Sequence, residues 1–266
     1  MLAVRALQQI PGEESLSALR EAVGATSGEA KVMAGKALGQ RQDAGSVRML
    51  AELLTDSEGE LKRMTAHALA GIGTAEAAEA LMSSLRPSRP VGVEALQKLA
   101  HRRFEEGDAP TARKIADMLL DEDRPVRVRM TGLSIAVELD AETAVPLLVQ
   151  AVKEGEKVLA GHALNLLMAH HRQAAAGRIA ELLPGLPDGR QVQALGHIAR
   201  SGDPAFAGAA ADLLEDSSEE VRAAAARAVG FIGSAENVDA LLAAAASESS
   251  QVQDAARAAL VRIDAD

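Results

Sequence analysis

The chain has 266 residues, 48% apolar and 25% charged, with 28 basic against 38 acidic side chains for a net charge of −10. That balance implies a soluble folded protein and argues against a default partner made of phosphate backbone. There is no cysteine, and the aromatic residues are Phe104, Phe206 and Phe231, which excludes disulfides and thiolate metal sites and removes the stacking platforms used for bases and sugars.

The opening residues, MLAVRALQQI, have neither the basic start nor the apolar run of a secretory signal, and no stretch reaches ~18 consecutive apolar residues. The expected location is the cytoplasm. These residues read as the later part of an amphipathic helix centred on Leu7. An acidic-led segment, EESLSALREAV at 13–23, follows, and then a helix centred on Leu38. The alternation continues with first helices at 75–85 (AEAAEALMSSL), 142–152 (ETAVPLLVQAV) and 236–246 (ENVDALLAAAA). Between them recur second helices containing one phrase, written AHALAGIG at 66–73 and ARAVGFIG at 226–233. The anchors of that phrase are Leu7, Leu38, Leu69, Leu99, Ala136, Leu166, Leu195, Val229 and Leu260, at intervals of 29 to 37 residues.

A unit of this length cannot bury its own core and must stack on copies of itself. Counting from each anchor, positions −8, −4, 0 and +3 form one helical stripe, the predicted core face. The −8 column runs through Ala30, Leu61, Val91, Val128, Val158, Pro187, Val221 and Val252. The −4 column is small (Ala3, Ala34, Thr65, Ala95, Gly132, Ala225, Ala256), which predicts close approach of neighbouring helices. The +3 column is apolar at Ile10, Ile72, Leu139, Ile198, Ile232 and Ile263, with exceptions at Arg41, Arg102 and Ala169. Gly73 and Gly233 stand where left-handed caps would end second helices. The fold predicted is all-α: an α-solenoid, a right-handed superhelix of about eight helical hairpins forming one continuous domain over 1–266.

Charge repeats too. Asp56 precedes Lys62, Asp123 precedes Arg129 and Asp216 precedes Arg222, each by six residues. An acidic turn followed by a V-R pair, as in LEDSSEEVRAAAARAVGFIGS at 214–234, resembles HEAT repeats, in particular the short bacterial kind grouped with phycobilin-lyase-like repeats. The resemblance spans essentially the whole chain. It implies that these acids and bases form a structural ladder between adjacent repeats, and that second helices line a concave binding surface.

Two departures stand out. The interval from Leu99 to Ala136 carries about six extra residues around RRFEEGDAP at 102–110, read as an extended loop, an insertion or a lengthened helix end. The array also begins inside a second helix without a polar cap, which suggests a piece of a longer protein or a first helix that pairs with something else.

On the implied groove, the −2 and +2 columns vary. Arg5, Lys36, Arg63, His67 and His101, with Arg102 and Arg103 nearby, form a basic strip in the first half, matched by an acidic segment of a protein or peptide partner. Leu164, Met168, His197 and Phe231 form an apolar strip in the second half, suited to a helix or extended peptide.

Nothing points to a metal, a cofactor or a catalytic residue. His170 and His171 are adjacent and so lie about 100° apart on a helix, a poor geometry for sharing an ion. His162 falls in the −4 column, as a partly buried core histidine. No HExxH, phosphate loop, dinucleotide fingerprint or nucleophile elbow is present, and no His is followed by Glu, as the ligands of HEAT-like di-iron hydroxylases are. The expectation is a non-catalytic protein-interaction scaffold. The alternatives are a phycobilin-lyase-like chromophore handler and, with the composition against it, a nucleic-acid binder.

Overall fold

The computed structural model describes residues 2–84, 92–170 and 172–263, the side chains of 170 and 172–174 aside. Leu85 of the predicted 75–85 helix, Val91 of the −8 column and His171 lie outside the described residues, as does the side chain of His170. Helices are the only regular elements among the described residues. They gather into two compact units, Met1–Ala141 and Glu142–Asp266, where the period alone predicts one continuous array.

In the first unit α1 (Leu2–Gln9) is a second helix, and four hairpins follow it. They are α2 (Glu13–Ala25) with α3 (Gly28–Gln40), α4 (Val47–Asp56) with α5 (Gly59–Ile72), α6 (Ala75–Ser84) with α7 (Val93–Glu105), and α8 (Ala109–Leu120) with α9 (Val126–Leu139). The second unit holds four more. These are α10 (Ala141–Glu154) with α11 (Lys157–His170), α12 (Arg172–Leu182) with α13 (Asp188–Ser201), α14 (Ala207–Ala211) with α15 (Glu219–Ile232), and α16 (Val238–Ala245) with α17 (Ser250–Ile263).

The stripe forms the core in both units. Anchors Leu38, Leu69, Leu99, Leu195 and Val229 are fully buried, as are Ala34, Thr65, Ala225 and Ala256 of the −4 column. Four positions depart from it, Ala3, Ile10, Val158 and Pro187, all exposed. Val158 marks a phase error in α11. There the buried pairs are Leu159 with Ala160, Ala163 with Leu164, and Leu167 with Met168, while Leu166 is only half-buried. Leu159, Ala163 and Leu167 take the −8, −4 and 0 places, so the true stripe lies one residue, about 100° of helix, from the anchor chosen by spacing.

Close approach between second helices uses glycines beyond the −4 column. A Cβ on Gly39 would stand 2.6 Å from the Ala68 Cα, and one on Gly71 would stand 2.8 Å from the Gly39 carbonyl oxygen, so α3 and α5 meet backbone to backbone. Gly230 meets Ala259 in the same way, at 2.7 Å, between α15 and α17. Gly73 is the expected left-handed cap at φ 76°, whereas Gly233 is extended at φ −77°.

The arginines that interrupt the +3 column are ties between repeats. Arg41 donates to the Leu7 carbonyl at 3.3 Å, the Gly12 carbonyl at 3.1 Å and Ser15 Oγ at 2.6 Å, holding the end of α1 and the turn into α2. Arg102 donates to the Gly71 carbonyl and Arg103 to the Gly73 carbonyl at 3.0 Å, so both cap α5, where a cation also suits the helix dipole. Residues 102–110 are therefore no extended loop. α7 continues to Glu105, a short turn follows, and Asp108 opens α8 by accepting the Thr111 N–H at 3.2 Å while its other oxygen pairs with Arg103.

The expected ladder takes another form. Asp216 accepts the Ser218 N–H at 2.8 Å, and Arg222 donates to the carbonyls of Asp216 and Ser217 at 2.8 and 3.0 Å, so this pair closes its own turn. Asp56 and Lys62 form no ion pair among the described residues. The strong acid–base contact is Arg20 on α2 with the buried Asp43 before α4: Nε to Oδ2 at 2.8 Å and Nη2 to Oδ1 at 2.5 Å. Burial alone would raise the Asp43 pKa, but the hydrogen bonds and charge of Arg20 outweigh it and hold the carboxyl below its ordinary value.

Asp43 is buried, but Arg20 is partly exposed and also holds Glu13 at 2.7 Å, so Asp43→Ala should cost about 1–2 kcal/mol at neutral pH in urea unfolding. Because the folded-state pKa is depressed, this contribution is present above about pH 4 and disappears as pH falls through the folded value, so wild type and variant should converge in acid. Gly71→Val should cost about 1–3 kcal/mol through overpacking against the Gly39 backbone. Gly24→Ala, where a Cβ meets nothing within 4 Å, should instead stabilise by about 0.5 kcal/mol in the same measurement.

Candidate partner-binding surface

The basic strip of the first unit is in large part brought together. Lys36 on α3, Arg63 and His67 on α5, and Lys98 and Arg102 on α7 line an open depression of about 650 Å³, with Glu60, Met64 and Glu94 among the other lining residues. Lys36, Arg63 and His67 are exposed. Lys98 holds Glu94 at 3.0 Å, and Arg102 is engaged with the Gly71 carbonyl and Glu106. Lys36 and Arg63 have no carboxylate partner among the described residues, which leaves their charge available. The positive field is felt locally. The hydrogen bond and charge of Lys98, with the His67 charge, hold the Glu94 carboxyl below its ordinary pKa. Arg5 and His101 are exposed but do not line the depression, and His101 pairs with Glu105 at 3.3 Å.

The apolar strip of the second unit does not exist as a strip. Leu164 and Met168 are buried, with 2% and 7% exposure, because the phase shift of α11 turns both toward the core. What the second unit presents is a largely polar depression of about 640 Å³, lined by Asn165, Met168, His197, Arg200, Asp203 and Phe206 among others. His197 Nδ1 lies 2.9 Å from Asn165 Oδ1, so the neutral ring donates to that carbonyl. The ring lies against Gly161, where a Cβ would stand 2.7 Å from its Nε2. Arg190 and Gln193 reach the Gly155 and Lys157 carbonyls from the same face, so α13 meets α11 along a polar seam in contrast to the glycine contacts. Phe231 is 57% exposed and lies outside this depression; the Arg262 guanidinium covers its ring at 3.8 Å, a cation–π contact between successive second helices.

Sequence reading missed Lys98 and Arg200, which sit at −1 and +5 and so fall outside the two columns taken as the groove. Among the described residues no group of three His, Asp or Glu side chains could hold a metal ion, and no helix is long and apolar enough to cross a membrane.

Stacked helical hairpins tied through their second helices define an α-helical repeat protein. The family model for HEAT repeats matches residues 23–100 and 179–261, more than half of the sequence, and the chain belongs to that family. No curated protein matches it. Among solved structures it is similar to human deoxyhypusine hydroxylase (20% identity, TM-score 0.41, covering 99% of this chain and 89% of that one). It is similar also to the YibA protein of Escherichia coli (13%, 0.42, 99% and 96%) and to the CpcE–CpcF complex of phycocyanin lyase from Nostoc sp. (18%, 0.38, 97% and 98%).

Burial pushes the His197 pKa below the ordinary imidazole value, and the Arg200 charge acts in the same direction. The unfolded chain therefore takes up this proton first, and stability should fall as pH drops below about 6.5. His197→Gln should lose that part of the pH dependence while keeping a donor toward Asn165; urea midpoints of both proteins at neutral and mildly acidic pH test it.

Proposed function

We propose that this chain is a non-catalytic scaffold whose second-helix surface holds a protein or peptide partner, with an acidic segment of that partner seated in the depression of the first unit. The observation that carries this reading is the pair Lys36 and Arg63. Two exposed cations beside His67, with no carboxylate partner among the described residues, stand on neighbouring second helices of a chain whose net charge is −10. Left to itself, an acidic surface tends to surround its cations with carboxylates. A depression that keeps two of them free favours an anionic ligand and speeds its encounter.

Charge also sets the strength. Partly exposed pairs are screened by salt, so binding should be moderate and should weaken as ionic strength rises. In the second unit, Phe231 beneath Arg262 offers an amphipathic contact of the kind enriched at interfaces.

The test is titration of a fluorescent glutamate-rich peptide into wild type and the Lys36→Glu, Arg63→Glu double variant. Affinity should drop at least about tenfold, equivalent to about 1.4 kcal/mol, and the dependence on salt should flatten. Unchanged affinity and salt slope would remove the depression from the reading. Tighter binding of duplex DNA than of the peptide would favour a nucleic-acid partner instead.

A further inference from the structure

The second unit holds ten basic residues against 17 acidic ones, yet seven of the ten stand on its second helices, α11, α13, α15 and α17. In the last two of these the signs also separate along the helix. The charges beyond Glu220 in α15 are Arg222 and Arg227, and those beyond Asp254 in α17 are Arg257 and Arg262. Helix dipoles favour acids early and bases late, which accounts for the order. It does not account for the aromatic ring that stands among the arginines.

Phe231 is the most exposed of the three phenylalanines, at 57%. Arg227, also exposed, precedes it by four residues and so lies on the same face of α15. From α17, Arg262 places its guanidinium 3.8 Å from the ring centroid, across the close contact that Gly230 makes with Ala259. Arg262 differs from the arginines that act as joints. Arg41, Arg102, Arg103 and Arg222 donate to carbonyls of the chain, whereas Arg227 and Arg262 donate to no protein group among the described residues. The ring holds the Arg262 guanidinium in place, which spares a ligand part of the cost of ordering that side chain. A planar fork with unused donors fits a carboxylate, which it can grip through two hydrogen bonds. The uncovered part of the ring fits an apolar side chain next to that carboxylate.

Resting on the scaffold reading but not on the depression of the first unit, we propose that Arg227, Phe231 and Arg262 form a second docking surface. Its occupant is an acidic protein segment with apolar residues next to its carboxylates. The two arginines take the carboxylates and Phe231 takes an apolar side chain. The negative balance of the unit as a whole favours a short acidic segment over the dense charge of duplex DNA.

The test starts from the Lys36→Glu, Arg63→Glu double variant, whose first unit no longer attracts acids. Two fluorescent peptides of equal length and net charge, one carrying Glu-Leu pairs in a Gly- and Ser-rich background and one with Ser in place of each Leu, are titrated by anisotropy at low salt. The Leu peptide should bind at least about fivefold more tightly than the Ser peptide, a gap of about 1 kcal/mol. Adding Arg227→Glu and Arg262→Glu should weaken the Leu peptide at least about tenfold, and adding Phe231→Ala instead should bring the two peptides within about twofold of each other. All three positions are exposed, and retained helical circular dichroism checks the fold of each variant. No binding of the Leu peptide to the starting variant, equal affinity for the two peptides there, or affinity unmoved by the arginine reversals overturns this surface. Displacement of the Leu peptide by duplex DNA at a lower concentration than by unlabelled peptide overturns it in favour of nucleic acid. The first-unit depression is judged separately, by binding of the glutamate-rich peptide to wild type.

Discussion

A hairpin of some thirty residues has one apolar stripe on each helix and too little chain to fold over it, so every structural decision here follows from the need to stack. Stacking puts the second helices of consecutive repeats side by side. Where Gly39, Gly71 and Gly230 remove the side chain, backbones touch; where α13 meets α11, polar side chains reach across the gap instead. Both solutions satisfy the same demand, and they leave different surfaces beside them.

Arginine is the second recurrent device. Each second helix ends in carbonyls that need donors, and Arg41, Arg102 and Arg103 supply them from the following repeat. Positions that look like breaks in an apolar column are therefore joints. Arg20 acts similarly on the turn before α4 through Asp43, which it keeps ionised despite burial. Cations of the first unit are put to different uses: Arg41, Arg102 and Arg103 are consumed in joints, while Lys36 and Arg63 face the depression.

The core was legible to the extent that the repeat kept its phase. Leu38, Leu69, Leu99, Leu195 and Val229 are buried as their column requires. In α11 the apolar run LLMA at 166–169 offers several anchors to a spacing argument, and choosing Leu166 turned Leu164 and Met168 outward when packing places them inside. An error of one residue is enough to exchange core for groove, because a helix turns about 100° per residue. The basic strip was half legible for a related reason. Lys36, Arg63 and His67 were found in sequence and lie together, whereas Arg5 and His101 share their columns without sharing the depression, and Lys98 enters it from outside them.

Sequence alone determined the helical hairpin, its period, the apolar stripe and membership of the HEAT repeats, because periodicity is a local property written into every turn of the chain. Only the tertiary structure decided that the repeats gather into two compact units, that residues 102–110 are a joint, that the Asp216–Arg222 pair closes its own turn, and which cations stay free. Those outcomes depend on what stands about 30 residues away in the neighbouring repeat, and pairing across a stack is settled by distance in space.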